Sequence, residues 1–310
     1  LVTTGNPKFD LIKNFKKNKI YNSEIEEIKK NYGNYILFLT MFTVYNPVKR
    51  YGFQNKKQSL ATIGFKEDKK LINLGEKFYN FQKKNLDFFV NSIKYISRKF
   101  KNELIIVRPH PTENIKLWEK KFHKYKNIKV IYDSMDTISW LIGSKLNLSI
   151  NCTTSLESYL LNKNSLNLVK YNDKEIEYEW ILKTSKKISS LKSLKKEVVV
   201  KKVNLLNNNF KLDNYLYNFK KNSNSAKLIS SLIEKICFIS QNNTRNKFRY
   251  IRSKIYKSLK KVNILKEDKI YAQKVGSISK KDVRDRINLI SKRDKIKIEE
   301  FYPDFIKIYK

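Results

Sequence analysis

Residues 104–111 read LIIVRPHP, and residues 146–157 read LNLSINCTTSLE. Each begins as a run of strand length and stops abruptly. The first ends at Arg108-Pro109, because proline has no N–H to give to a sheet ladder. The second runs into Asn151-Cys152 and a cluster of hydroxyl residues, Thr153, Thr154 and Ser155, that opens a helical pattern. The same rhythm recurs outward from both. Strands are predicted over 35–40 (YILFLT), 128–132 and 165–169. Helices are predicted over 70–100, over 112–125 with Thr112 as cap, over 136–143 with an acidic cap, over 153–161, and over 188–198. Strands alternating with helices predict a Rossmann-like α/β fold, a parallel sheet covered on both faces, because right-handed crossovers place helices there. Near-continuous apolar strands agree with burial on both sides. Ligands of such sheets bind beyond the carboxyl ends of the strands, where strand order reverses. That rule selects the loops 108–112 and 151–155.

With 310 residues, 41% of them hydrophobic, the chain can build one large or two ordinary domains around a real core. No apolar run approaches the roughly 18 residues that span a bilayer, and the opening Leu1-Val2-Thr3-Thr4 is not a signal peptide. Two cysteines (Cys152, Cys237) and two histidines (His110, His123) form no metal-ligand spacing and no disulfide framework, so reduced thiols in the cytoplasm and no metal are expected. The net charge is +37, from 66 basic and 29 acidic residues. Nucleotide bias accounts for lysine replacing arginine but not for the shortage of acids. The excess points to an anionic membrane surface as partner; nucleic acid is disfavoured, because arginine, the better reader of bases, is scarce. Residues 1–33 read as a lead-in and hinge, 34–200 as a nucleotide-binding domain, and 201–310 as a linker (201–223) with a basic extension of helices and loops, including helices over 226–239 and 246–262.

Two constellations can carry chemistry. In Arg108-Pro109-His110-Pro111, two prolines hold the backbone extended around one imidazole. A guanidinium beside it suits a phosphate or ribose-phosphate through charge-assisted hydrogen bonds; the alternative is a structural turn with an incidental histidine. At residues 151–157 a helix start offers free N–H groups, a favourable dipole and extra hydroxyl donors to an anion, with Glu157 one turn in. Its alternative is an ordinary N-cap with Glu157 as capping-box partner. The carboxylates Glu113, Asp133 and Asp136 are scattered, and none reads as a nucleophile; no P-loop, nucleophile elbow or HExxH pair is present.

In this order, the segments 4–10 (TGNPKFD), 108–111 (RPHP) and 151–157 (NCTTSLE) resemble the surface-carbohydrate-biosynthesis proteins, a bacterial group of glycosyltransferase-B-like architecture. A wider similarity extends to nucleotide-sugar 2-epimerases, capsule Kdo transferases and CDP-glycerol glycerophosphotransferases, which pair a His-Pro turn with a small-residue helix start. The resemblance covers about residues 1–170. It implies a nucleotide site made by Arg108, His110, Asn151, Thr153, Thr154, Ser155 and Glu157, with the phosphates on His110 and the 153–155 turn and the ribose at Glu157. It implies a hinge at Gly5, Asn6 and Pro7, and transfer of a CMP-, CDP- or UDP-linked sugar to a glycan or lipid-linked acceptor at the cytoplasmic membrane face. The donor is then a substrate, with no cofactor and no metal. An acceptor-binding domain precedes the hinge in that architecture, so the chain reads as the carboxyl-terminal half of a longer protein. Leu39-Thr40-Met41-Phe42 departs from the more polar turn expected after the first strand. The other readings are a nucleotide-sugar 2-epimerase, and a basic membrane- or RNA-binding protein without catalysis.

Overall fold

The computed structural model describes residues 4–13, 19–48, 69–133, 135–199, 225–240, 297–302 and 305–309. In chain order the elements are α1 (Pro7–Lys13), α2 (Asn22–Tyr32), β1 (Tyr35–Leu39), α3 (Lys69–Lys99), β2 (Leu104–Arg108), α4 (Ile115–Phe122), β3 (Ile128–Val130), α5 (Thr137–Gly143), β4 (Leu146–Ser149), α6 (Thr154–Leu160), β5 (Ser165–Leu168), α7 (Glu179–Thr184), β6 (Lys186–Ile188), α8 (Leu191–Val199), α9 (Ser225–Ser240), β7 (Lys297–Tyr302) and β8 (Phe305–Tyr309). The chain divides into two units, Tyr21–Phe210 and a second formed by Leu1–Ile20 with Lys211–Lys310. The helix α2, expected in the lead-in, therefore belongs with the sheet, where the Glu24 carboxylate accepts hydrogen bonds from Asp136 N (3.2 Å) and Ser139 Oγ (2.6 Å) at the start of α5.

The Tyr21–Phe210 unit is a Rossmann-like α/β fold. Its six strands run parallel in the order β3-β2-β1-β4-β5-β6, so strand order reverses between β1 and β4. Side chains alternate between the faces. One face, with Ile36, Phe38, Ile105, Val107, Leu148 and Leu166, packs under α3, α4 and α8 in a single buried cluster. Phe38, Phe42, Phe89 and Trp118 meet there edge-on or tilted, at centroid distances of 5.3 to 6.1 Å. On the opposite face the Tyr35 hydroxyl donates to Trp140 O (2.7 Å), under α5. Gly143 closes that helix, and a Cβ there would lie 2.7 Å from the Tyr35 oxygen, so only glycine fits.

The first two of the three strands beyond the reversal are not continuously apolar. β4 and β5 turn leucines to the α3 face and small polar residues to the α6 face, where Asn147, Ser149, Ser165 and Asn167 are all buried. Side chains satisfy one another across that face: Ser144 Oγ donates to Asn147 Oδ1 (2.6 Å), and Ser149 Oγ meets Ser155 Oγ (3.2 Å).

Other boundaries differ for local reasons. α4 starts at Ile115 under an Asn114 cap, which accepts from Lys116 N (3.1 Å), and not at Thr112, whose side chain is engaged by His110. The edge strand β6 and the short α7 lie where no strand was expected, and the helix expected from residue 188 begins at Leu191. In the second unit, the Asp10 carboxylate of α1 accepts from Ser225 N (2.6 Å) and Ala226 N (3.3 Å), capping α9. The tail expected to be helices and loops contains an antiparallel hairpin, β7 with β8. The expected linker 201–223 and helix 246–262 lie outside the described residues.

Candidate functional site

Register sets the site. Leu39 of β1 pairs with Arg108 of β2 on one side and with Ser149 of β4 on the other. His110 and Asn151 each follow two residues after those partners, on the loops at the carboxyl ends of β2 and β4, either side of β1.

The histidine loop is tightly built. His110 N donates to Thr40 Oγ1 (3.2 Å), Glu113 N to His110 O (2.8 Å), and the Tyr132 hydroxyl to Pro111 O (2.6 Å). Thr112 approaches the ring through its backbone N–H (3.3 Å) and its hydroxyl (2.9 Å), both at Nδ1. A backbone N–H only donates, so Nδ1 is the unprotonated nitrogen and the ring proton sits on Nε2. Beneath the loop, Glu113 is buried at 2% exposure. Its Oε1 accepts from Thr40 Oγ1 (2.7 Å) and Phe42 N (2.8 Å), and its Oε2 from Trp118 Nε1 (2.9 Å). Burial pushes this carboxyl up to about 7, the hydrogen bonds from Phe42, Thr40 and Trp118 pulling the other way.

On the other flank Asn151 takes a left-handed backbone (φ 41°) that few residues besides glycine and asparagine accept. Its N–H donates to Asn167 Oδ1 (2.8 Å) and its Nδ2 to Ile176 O (2.9 Å), tying the loop that carries Tyr178 to the rim. Thr153 is exposed where α6 begins and makes no capping bond from its side chain; Thr154 and Ser155 are buried. Burial also pushes the Cys152 thiol up.

Beside Asn151 lies a cavity of 210 Å³, lined by Met41, Thr43 and Val44 after β1, by Phe78, Phe81 and Gln82 of α3, and by Asn151 and Tyr178. Gln82 Oε1 accepts from Val44 N (3.0 Å) and Tyr45 N (2.9 Å), holding the β1 loop to the helix. Tyr178 is 46% exposed and stacks on Trp180 with ring centroids 5.7 Å apart and 14° between planes. An apolar slot with one exposed aromatic face and a few amides is the lining that a planar heterocycle fits.

No family model matches the chain, and no curated protein does. Among solved structures, Methanocaldococcus jannaschii UDP-GlcNAc 2-epimerase in complex with UDP-GlcNAc and UDP is similar to it. The identity is 16%, the TM-score is 0.45, and the match covers 75% of this chain and 54% of that one. The chain thus spans about half of that protein's length.

The residues expected at the site separate into two groups. His110 stands on the loop after β2, Asn151 and Thr153 stand after β4 on the other side of β1, and Asn151 lines the cavity. Arg108 sits on the α5 face at 8% exposure. Its guanidinium donates to Asp133 Oδ1 (3.0 Å), Met135 O (2.6 Å) and Thr137 Oγ1 (2.9 Å), and lies 6.0 Å from the Trp140 ring. Ser155 turns its hydroxyl inward to Ser149, and Glu157 is buried at 6% exposure inside α6, where its charge raises the Cys152 thiol. Gly5, Asn6 and Pro7 start α1 in the second unit: Gly5 has φ 82°, Asn6 Oδ1 accepts from Lys8 N (2.9 Å), and Pro7 is the first helical residue. Sequence reasoning missed Tyr178, Gln82 and the Met41–Val44 stretch. The signal available was the Tyr178-Glu179-Trp180 pair of aromatics in a polar segment. Among the described residues no group of His, Cys, Asp or Glu could hold a metal, and no helix is long and apolar enough to cross a membrane.

Proposed function

We propose that the Tyr21–Phe210 unit binds a nucleotide-activated sugar at the strand-order reversal. The chain then serves sugar transfer in bacterial surface-polysaccharide assembly, as the nucleotide-binding half of a glycosyltransferase-B-like enzyme. One observation carries this reading: an apolar cavity edged by Asn151 and Tyr178 lies after β1 at the strand-order reversal, with His110 on the loop after the neighbouring strand β2. The base enters the cavity against Tyr178. The phosphates lie between the Nε2–H of His110 and the exposed Thr153, where donors stabilise the leaving diphosphate or monophosphate as its charge develops. The excess of lysine keeps the protein near anionic headgroups, each base contributing about 1 kcal/mol at the surface.

Calorimetric titration with UDP, CDP and CMP tests the reading. One of them binds, and Tyr178→Ala weakens it by about 1–3 kcal/mol, the range for a lost stacking partner. His110→Ala costs about 1–3 kcal/mol, as a lost hydrogen bond to a charged group does. Indifference of the parent chain to all three nucleotides ends the proposal. Incubation with UDP-GlcNAc separates the enzyme classes: a C2 epimer appearing in place of a transferred sugar identifies an epimerase.

A further inference from the structure

We propose that a second cleft, which shares only Phe81 with the cavity at the strand reversal, binds an acidic saccharide, a sugar chain bearing carboxylate or phosphate groups. The cleft measures 720 Å³, within the range of small-molecule sites. Lys77 and Lys84 of α3 form one wall, and Lys170 and Tyr171, just after β5, form the other. The inference stands on this lining and does not require the nucleotide reading.

In a chain of net charge +37, lysines along a groove follow from composition alone. Three features set this groove apart. The first is that its walls are fastened together by Asn85, which is fully buried. Its Oδ1 accepts from Lys170 N (2.9 Å) and Tyr171 N (3.0 Å), while its Nδ2 donates to Tyr171 O (2.9 Å) and Phe81 O (3.0 Å). The backbone that carries Lys170 is thus fixed against α3 before any ligand arrives, which lowers the ordering cost of binding.

The second is that nearby acids offset only part of its charge. Asp173 also lines the cleft, but its Oδ1 accepts from Glu175 N (3.0 Å) and closes its own turn. Glu175 pairs with Lys77 alone. Lys84 makes no hydrogen bond or ion pair with any described residue, and the Lys170 ammonium lies 5.2 Å from the Tyr171 ring centroid. Lys84 and Lys170 stand on opposite walls, so a ligand with repeated charges meets both, whereas a lone phosphate meets one.

The third is the remainder of the lining. Tyr171 is 47% exposed and offers an aromatic face to the C–H surface of a sugar, and the amides of Asn80 and Asn172 can both donate to and accept from hydroxyls.

The test is calorimetric titration of the full chain with a hyaluronan tetrasaccharide, a phosphorylated chitotetraose and neutral chitotetraose. At least one acidic chain is expected to bind roughly tenfold more tightly than the neutral one, a difference of about 1.4 kcal/mol. The two acidic arms identify which anion the lysines select. Lys84→Gln combined with Lys170→Gln lowers that affinity by roughly tenfold. Lys120→Gln combined with Lys124→Gln removes the same charge at α4 and its end, and leaves the affinity within about twofold. Both lysine pairs are exposed, so both double variants melt with the parent. Equal losses in the two variants, or equal binding of acidic and neutral chains, overturn the proposal. UDP titration of the same samples keeps the two sites apart: binding of UDP survives Lys84→Gln with Lys170→Gln whichever way the saccharide result falls.

Discussion

Replacing Glu113 with Gln is expected to remove a pH dependence of stability that this one carboxyl imposes. Three donors point at it: Thr40 Oγ1 and Phe42 N at Oε1, and Trp118 Nε1 at Oε2. Burial nevertheless outweighs them and raises the carboxyl from 4.5 to about 7. The sign follows from linkage. A group raised on folding adds stability that is complete below its unfolded value of 4.5 and is lost as pH climbs through about 7. At about 1.36 kcal/mol per pH unit, the loss amounts to roughly 3 kcal/mol between pH 5 and 8.5. Gln carries no charge to desolvate, and its Oε1 can still accept from Thr40 and Phe42. Its amide, however, sets a donor against Trp118 N–H, at a pH-independent cost of about 1–3 kcal/mol. The parent is therefore more stable than Glu113→Gln by about 1–3 kcal/mol at pH 5, and by pH 8.5 that advantage is gone or reversed. Urea unfolding followed by tryptophan fluorescence at four pH values between these limits measures the difference directly. A difference that stays constant within about 0.5 kcal/mol, finer than a single lost hydrogen bond, would refute the reasoning.

Further substitutions probe the sheet and the rim. Gly143→Ala places a methyl 2.7 Å from the Tyr35 oxygen, which is held by its bond to Trp140 O, and is expected to cost about 1–3 kcal/mol in chemical unfolding. Arg108→Met removes the donor to Asp133, Met135 and Thr137. Because Asp133 is 27% exposed and can rehydrate, the expected loss is about 2–3 kcal/mol, below that of a fully buried pair. Nucleotide affinity is expected to change less than about twofold, since the guanidinium is turned away from the rim; a large loss of affinity with stability intact would reassign Arg108 to the ligand. Asn151→Ala forces alanine to φ 41° and releases Ile176 O, so it lowers stability and loosens the Tyr178 loop together, read as a lower melting temperature and weaker nucleotide binding.

β1 and β2 were legible because burial on both faces leaves little but apolar residues to read. YILFL, LIIVR and the segments bounded by helix signals at 146–149 and 165–168 are strands within a residue or so of their expected limits. Legibility failed at the edge and where side chains act at a distance. Lys186-Lys187-Ile188 has no apolar run, since an edge strand needs none. Thr112 has the chemistry of a cap, yet its hydroxyl and N–H go to the His110 ring, and the helix waits for Asn114.

The candidate site divides along the same line. Proline and helix-start hydroxyls encode backbone shape, so residues 108–111 and 151–155 could be located on the rim from their types alone. Which side chains face outward is a matter of parity. Arg108 shares a face with Ile106, opposite Ile105 and Val107, and so belongs under α5 with Trp140. What holds the rim together could not be read locally at all. Gln82 secures residues 44–45, Asn85 secures 170–171, Glu113 secures Thr40 and Phe42, and Asn151 secures Ile176, each a buried polar group whose partner lies 25 to 86 residues away. In sequence Gln82 and Asn85 are two polar letters in an amphipathic helix, indistinguishable from its solvent face. Folded, they hold the walls of both clefts, and a rigid wall is what lets a few exposed groups such as Tyr178 and Lys170 recognise a ligand without first being ordered by it.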